Sequence, residues 1–277
     1  MANEKQKEFW SGHGGQNWVT KKETLDDMLS PYGLEAINHL TLDNDSHILD
    51  IGCGSGETTF QLANQISSTG SVTGIDISEP LLKLASKDNK FQNVLFIQAD
   101  AQNSNLRKKF YSHAFSRFGV MFFENSISAF RNIHSSLRED SQLSFICWQS
   151  PQKNLWQTLV MMEIKKFIEV PTPNPRDPGP FAFGEKDYVN EILTEANFQN
   201  IAIQPYEKDI TIFKNYTTEN AVKEMLELNP SLHFLKEHPQ EVQLKIKEAV
   251  TKSYDKRKTS EGFSFPSAAW IVTANKK

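Results

Sequence analysis

The stretch His47-Ile-Leu-Asp-Ile-Gly-Cys-Gly-Ser-Gly-Glu57 constrains this chain more than any other. Ile48, Leu49 and Ile51 form the short apolar run of a buried parallel strand. Gly52, Gly54 and Gly56 follow at alternate positions, and Thr58 to Ile66 reads as a helix. A strand, a tight glycine turn and a helix N-terminus let a ligand lie against bare backbone. A Cβ would block that approach, and several turn residues are expected to take positive φ. N–H groups exposed at the helix start favour a carboxylate or a phosphate. Spacing then narrows the ligand. The dinucleotide pattern Gly-x-Gly-x-x-Gly would need its third glycine at Glu57 or at Thr59, so it fails in both registers. A P-loop needs a lysine, and this turn has none.

Two further strands repeat the arrangement. Ser71-Val-Thr-Gly-Ile-Asp76 ends in a carboxylate about twenty residues after the loop, where such folds place an acid on ribose hydroxyls. Ser78 is expected to cap the next helix, with Glu79 and Pro80 in its first turn. Asn93-Val-Leu-Phe-Ile-Gln-Ala-Asp100 is another strand closed by an acid.

Taken with these acids, Asp50-x-Gly-x-Gly-x-Gly56 resembles the first motif of S-adenosylmethionine (SAM) dependent methyltransferases of the doubly wound fold. The resemblance implies SAM as cofactor and S-adenosylhomocysteine (SAH) as product. It implies contacts from Asp50, Gly52, Cys53, Gly54, Gly56 and Thr58 in and after the loop, and from Asp76 and Ile77 after the second strand. Asp100 and Ala101 would receive the adenine, Asp100 by accepting from its amino group. Ser116, Arg117 and Trp18 complete the expected cofactor set. Ser116-Arg-Phe-Gly-Val-Met-Phe-Phe123, Phe130-Arg-Asn-Ile133, Cys147-Trp148 and the opening Trp10, Trp18 and Leu25-Asp-Asp-Met-Leu29 sharpen it. Over roughly residues 9–150 the chain is similar to the small-molecule C-methyltransferases of ubiquinone and menaquinone biosynthesis. It departs from them at His113, where an acid is usual and a surface role is expected. It departs again at Arg138-Glu-Asp-Ser141, where a proline-glycine turn is usual, a change expected to affect only the loop into the fifth strand.

The fold expected is α/β: a Rossmann-like, seven-stranded, mostly parallel sheet with helices on both faces and an antiparallel last strand. The chain reads as a single domain. Residues 1–45 are an N-terminal arm whose Phe9, Trp10 and Trp18 should fold back over the cofactor or the acceptor, with Gly12, Gly14 and Gly15 as a hinge. Two helices are expected there, Lys22 to Leu29 and Leu34 to Leu40, broken at Ser30-Pro-Tyr-Gly33. Residues 46–150 are the cofactor-binding core, and 151–198 and 214–262 are insertions. The last strands fall in 199–213 and 263–277. Prolines from Pro171 to Pro180 make a stiff loop tethered by Phe181-Ala-Phe183. The helices read at 218–228 and 240–257 could be a lid, a dimer surface or decoration, and the sequence does not choose.

Composition limits the partners. Net charge is −4 with basic and acidic residues interspersed, which gives no general attraction to nucleic acid or to an anionic membrane. No run approaches a membrane span and the start lacks a signal-peptide core, so a cytoplasmic protein is expected. Cys53 and Cys147 read as buried thiols. The histidines form no ligand pair on one helix, so no metal is expected. Methyl transfer from a sulfonium is an in-line displacement that depends chiefly on orientation and exclusion of water. A general base, if the acceptor needs one, could be His13, Glu124, Asp26 or Asp27. Arg117 could hold an acidic acceptor, hold the methionine carboxylate or form a structural ion pair. The acceptor is a small molecule, and a homodimer is left open. The alternative readings are a SAM-binding protein without catalysis and an NAD-dependent oxidoreductase.

Overall fold

The structure is a computed structural model, and it describes residues 3–171, 174–226 and 230–277. In chain order its main elements are α1 (Glu4–Ser11), α2 (His13–Thr20), α3 (Lys22–Ile37), β1 (His47–Ile51), α4 (Glu57–Ala63), β2 (Ser71–Asp76) and α5 (Glu79–Asp88). Then follow β3 (Val94–Gln98), β4 (Tyr111–Arg117), α6 (Ser126–Ser136), β5 (Leu137–Trp148), α7 (Leu155–Ile164) and α8 (Lys186–Glu195). The chain closes with β6 (Gln199–Ile212), α9 (Thr218–Leu226), α10 (Gln240–Asp255) and β7 (Phe263–Asn275). The strands form one seven-stranded sheet in the order β3-β2-β1-β4-β5-β7-β6. Pairings among β1 to β5 are parallel, and β7 runs antiparallel to β5, as expected. The order reverses between β1 and β4. In open α/β sheets a ligand crevice lies at the carboxyl ends of such a pair.

The chain divides into two compact units, the first made of residues 1–149, 175–206 and 269–277. Its central strands β1, β2 and β4 are buried apolar runs because helices cover the sheet: α3 packs on β4 and β5, α4 on β1 to β3, and α6 on β5. Phe130 of α6 is fully buried, in ring contact with Phe123, Phe145, Phe183 and Phe198. Phe183 thus tethers the end of the proline-rich segment, as expected. Thr172 and Pro173 of that segment lie outside the described residues. β3 is an edge strand, and its Leu95 and Ile97 are 57% and 41% exposed.

The second unit, residues 150–174 and 207–268, has a core of its own. Val160 and Ile164 of α7, Val250 and Tyr254 of α10, and Phe263 and Phe265 of β7 pack together there. The helix read at 218–228 is described to Leu226, and residues 227–229 lie outside the described residues.

Three local expectations are corrected. α3 is one helix through Pro31, because Leu29, Tyr32, Gly33, Ala36 and Ile37 form a continuous buried face. That burial outweighs the hydrogen bond proline gives up. His113 is buried rather than at the surface. Its ring bonds Ser112 Oγ at 2.8 Å and the Thr41 carbonyl at 3.0 Å, and burial lowers its pKa. The unusual Arg138-Glu-Asp-Ser141 stretch belongs to β5 itself, with Asp140 at φ 58° and a register shift against β4.

The aromatic cluster sets a stability test. Phe130→Ala should destabilise the protein by about 3–5 kcal/mol through a cavity that four neighbouring rings cannot close. Urea melts should show a lower midpoint with little change in slope.

Candidate functional site

The loop after β1 folds back across the end of β2. The N–H groups of Gly52 and Cys53 both donate to the Ile75 carbonyl, at 2.8 and 3.1 Å. The Gly54 N–H donates to Asp76 Oδ2 and the Ser78 N–H to Asp76 Oδ1, each at 2.8 Å. One carboxylate therefore pins the glycine loop and the turn into α5. Asp76 still keeps part of its surface open. Burial pushes its carboxyl above the usual range, against the pull of the backbone donors.

The glycines divide the work. Gly54 sits at φ +55°, and a Cβ added to it would meet nothing within 4 Å. That is a bare backbone edge with room in front of it. Gly56, at φ +88°, is packed instead, since its Cβ would fall 2.9 Å from Phe96 and 3.1 Å from Ala85. A Cβ on Gly119, after β4, would lie 2.7 Å from the Ile51 carbonyl and 3.0 Å from Gly52 Cα. Ser116 Oγ donates to the Ile51 carbonyl at 2.7 Å and accepts the Gly119 N–H at 3.2 Å. The Ser-Arg-Phe-Gly stretch is thus the seam where the loops after β1 and β4 touch.

Asp50 is fully buried beneath the loop. Thr58 and Thr59 donate to its Oδ2 at 2.8 and 2.6 Å, and its Oδ1 is buried without a partner. Burial pushes its pKa up to about 6. Arg117 is paired with Glu57, the first residue of α4, and lies 3.7 Å from Asp26, which also binds Lys22 at 2.9 Å. Burial raises the Glu57 carboxyl against the attraction of Arg117, and Asp26 adds to the rise. Arg117 is therefore held in an ion-pair network joining α3, α4 and β4. Its use in a negatively charged subsite would require breaking that network.

Past β3, Asp100 is buried and accepts the Gln102 N–H at 3.0 Å and the Asn3 carboxamide at 3.3 Å. Asn132 of α6 holds the Ala101 carbonyl at 2.8 Å. The Asn3 N–H donates to Glu124. The arm lies over this end of the sheet. Ser11 Oγ donates to the Ile77 carbonyl at 3.3 Å, and Ser78 Oγ donates to the Trp10 carbonyl at 2.6 Å. Ser78 stands at the N-cap of α5 but spends its hydroxyl on the arm, a correction to its expected cap. Trp10 meets Trp18 and Phe122 edge-on, at 5.8 and 5.2 Å between ring centres. The arm glycines are not a loose hinge. Gly14 and Gly15 are buried inside α2, and Gly15 abuts the Trp10 carbonyl, Ser78 and Pro80. His13 and Asp27 are exposed.

Sequence reasoning did not single out Asn3, or Glu57 as the partner of Arg117. A second aromatic group, also unforeseen, stands at the carboxyl ends of β4 and β5. Phe118 takes φ 60° and stacks on Trp148 at 4.0 Å, with Tyr32 against both and against the half-buried Tyr206. Cys53 and Cys147 are buried free thiols with pKa values raised by burial. Among the described residues no group of acids, histidines and cysteines could hold a metal ion, and no helix is long and apolar enough to cross a membrane.

Comparison with known families decides what kind of domain this is. Residues 48–140 match the model of a methyltransferase domain. Those residues belong to that family. They run from β1 into β5 and so include the glycine loop, Asp76, Asp100 and Arg117. The demethylmenaquinone methyltransferase of Staphylococcus epidermidis is 24% identical over 146 residues, covering 50% of this chain and 60% of that protein. That of Staphylococcus saprophyticus is 19% identical over 74% of this chain and 95% of its own. The solved structure of YcgJ from Bacillus subtilis matches with a TM-score of 0.56 at 15% identity, over 88% of this chain and 97% of that one. Phosphoethanolamine N-methyltransferase 2 of Haemonchus contortus, solved with SAM, matches at 0.54 and 14% identity, over 89% and 53%. The [4+2]-cyclase SpnF matches at 0.52 and 17% identity, over 89% and 80%. At these identities the solved structures establish the fold of the methyltransferase domain.

Two predictions come from this geometry. Gly54→Ala should cost only about 1 kcal/mol of stability, the price of a left-handed alanine, yet abolish measurable binding of the site's ligand. Gly56→Ala should lose more stability, because Phe96 and Ala85 must move. Thermal melts with and without SAH separate the two effects. The second concerns Asp50, whose folded-state pKa lies above its ordinary value of 3.8. The folded protein binds the extra proton between the two values, so this group's contribution to stability falls as pH rises from about 4 through about 6. The stability of Asp50→Asn relative to wild type should therefore climb across that window and level off above it, by up to about 3 kcal/mol. Denaturant melts at several pH values check this.

Proposed function

We propose that this chain is a SAM-dependent methyltransferase acting on a small-molecule acceptor. The observation that carries the reading is the open, left-handed Gly54 edge fixed to the Asp76 carboxylate. The residues present fit the cofactor. Gly54 leaves room for a ligand against its backbone, Asp76 offers acceptors at the end of β2, and Asp100 offers them past β3. The buried, unpartnered Asp50 Oδ1 lacks a donor, which suits a cationic amino group on the ligand or a bridging water. The names of the matched relatives support the same chemistry.

When bound, SAM supplies an electrophilic methyl on a sulfonium. The work left to the protein is orientation and desolvation. Asp76 accepts from ribose hydroxyls, and the loop backbone fixes the amino-acid end. The arm, with Trp10 and Trp18, shields the site from water. The acceptor would approach from the carboxyl ends of β4 and β5, where the half-buried Tyr206, backed by the buried Tyr32, Phe118 and Trp148, favours a ring-bearing molecule. Demethylmenaquinone, in the relatives' names, is a ligand of that kind. Arg117 acts as a positioning residue through Glu57 and Asp26, not as an acid receptor.

Calorimetry with SAH tests the cofactor. Asp76→Ala should weaken binding roughly ten- to a hundredfold, the value of charge-assisted hydrogen bonds to a ribose. Unchanged affinity in a folded variant would remove Asp76 from the site. A SAM-dependent screen against small molecules, read as SAH formed, tests transfer. The SpnF likeness makes that arm necessary, because the fold alone does not fix the reaction. SAH binding with no product from any acceptor would leave a SAM-binding protein without methyl transfer.

A further inference from the structure

We infer that the head of the N-terminal arm is a self-ligand of the cofactor site: Asn3 occupies the Asp100 carboxylate and must leave before an adenine amino group can take it. The inference rests on the reading of Asp100 as the adenine's partner.

The geometry of Asn3 is that of a residue held between two duties. It stands at the N-cap of α1, and its carbonyl accepts the Lys7 N–H at 3.0 Å. An asparagine there ordinarily takes extended φ and accepts an N–H of the first turn with its side-chain oxygen. Asn3 does neither. It sits at φ 68°, and its side chain makes no cap bond. The carboxamide nitrogen reaches Asp100 Oδ2 instead, and the backbone N–H reaches Glu124. Its own Oδ1 is buried with no partner. The contact at Asp100 therefore carries three costs: a left-handed backbone, an uncapped helix and an orphaned acceptor.

Asp100 is 4% exposed and Asn3 equally so. Gln102 N–H lies on Oδ1 and Asn3 on Oδ2, and at this burial the Asn3 carboxamide covers the side of Oδ2 that its nitrogen bonds. An amino group from a ligand can reach Oδ2 only in place of the Asn3 nitrogen. The donors are chemically alike, each an NH2 on a planar, electron-withdrawing group. On release, Asn3 can turn to extended φ and cap α1, recovering the cap bond and satisfying Oδ1. The arm head thus has two bonded states, one with Asp100 and one with its own helix, and ligand binding favours the second. Such a contact lowers apparent affinity by the fraction of molecules in which it is made.

The test is calorimetry with SAH on the full chain and on Asn3→Ala and Asn3→Asp, with amide exchange of residues 4–11 in the ligand-free proteins. Asn3→Ala removes the competing donor. Asn3→Asp keeps the capping ability but sets a third carboxylate beside Asp100 and Glu124. Both variants should bind SAH more tightly, by roughly three- to tenfold, with Asn3→Asp the tighter. Asn3→Asp should also exchange more slowly in the first turn of α1 without ligand, because the freed side chain caps it. Equal affinity in all three proteins would overturn the inference and leave the cofactor reading intact. Weaker binding in Asn3→Ala would overturn it too, making Asn3 a ligand of the cofactor. If SAH binds none of the three, the cofactor reading falls and takes the inference with it.

Discussion

The hydrogen bond from the Gly54 N–H to the Asp76 carboxylate holds the site together. It fastens a loop that leaves β1 to a strand that would otherwise end in solvent, and it orients the same carboxylate toward the turn into α5. Both Asp76 oxygens are engaged by backbone, so the acid is positioned without help from a flexible side chain. The glycine run follows from that bond. Gly54 must be left-handed to aim its N–H, and Gly52 must be bare where the loop after β4 crosses it.

The same arrangement concentrates buried acids. Asp50, Glu57 and Asp76 are all shifted upward by burial, and Arg117 offsets only part of this. A cluster of desolvated carboxylates with few cations is unfavourable in isolation. It becomes favourable when a ligand brings donors and positive charge, which is the physical sense in which a shifted acid marks a site. The ion pairs of Arg117 show the opposite solution, in which the protein supplies the counter-charge itself.

What could be read from the sequence was whatever is encoded locally. The strand, the glycine turn and the acids at or just past strand ends have fixed short spacings, so the places of Asp50, Asp76 and Asp100 in the fold were legible, as was the antiparallel β7. Long-range pairings were not. Glu57 lies 60 residues from Arg117, Thr41 lies 72 from His113, and Asn3 lies 97 from Asp100. No periodicity connects such partners. Local rules also failed where burial outweighed them. Pro31 reads as a helix break, yet the buried face through Tyr32 and Ile37 carries α3 past it. The glycines of α2 read as flexibility, yet they serve close packing against Phe9, Trp10 and Ser78.

The exposed edge strand β3 has a consequence for how the molecule breathes. It pairs with β2 alone, and Leu95 and Ile97 turn outward into water. It has one ladder partner where the central strands have two, so this edge is expected to open before the centre of the sheet. Asp100 follows that strand directly. A ligand that gripped Asp100 and Asp76 together would bridge this edge strand to its only neighbour in the sheet. Occupancy would then be felt as rigidity along that margin of the sheet, and an edge with a single partner becomes the part most responsive to what it binds.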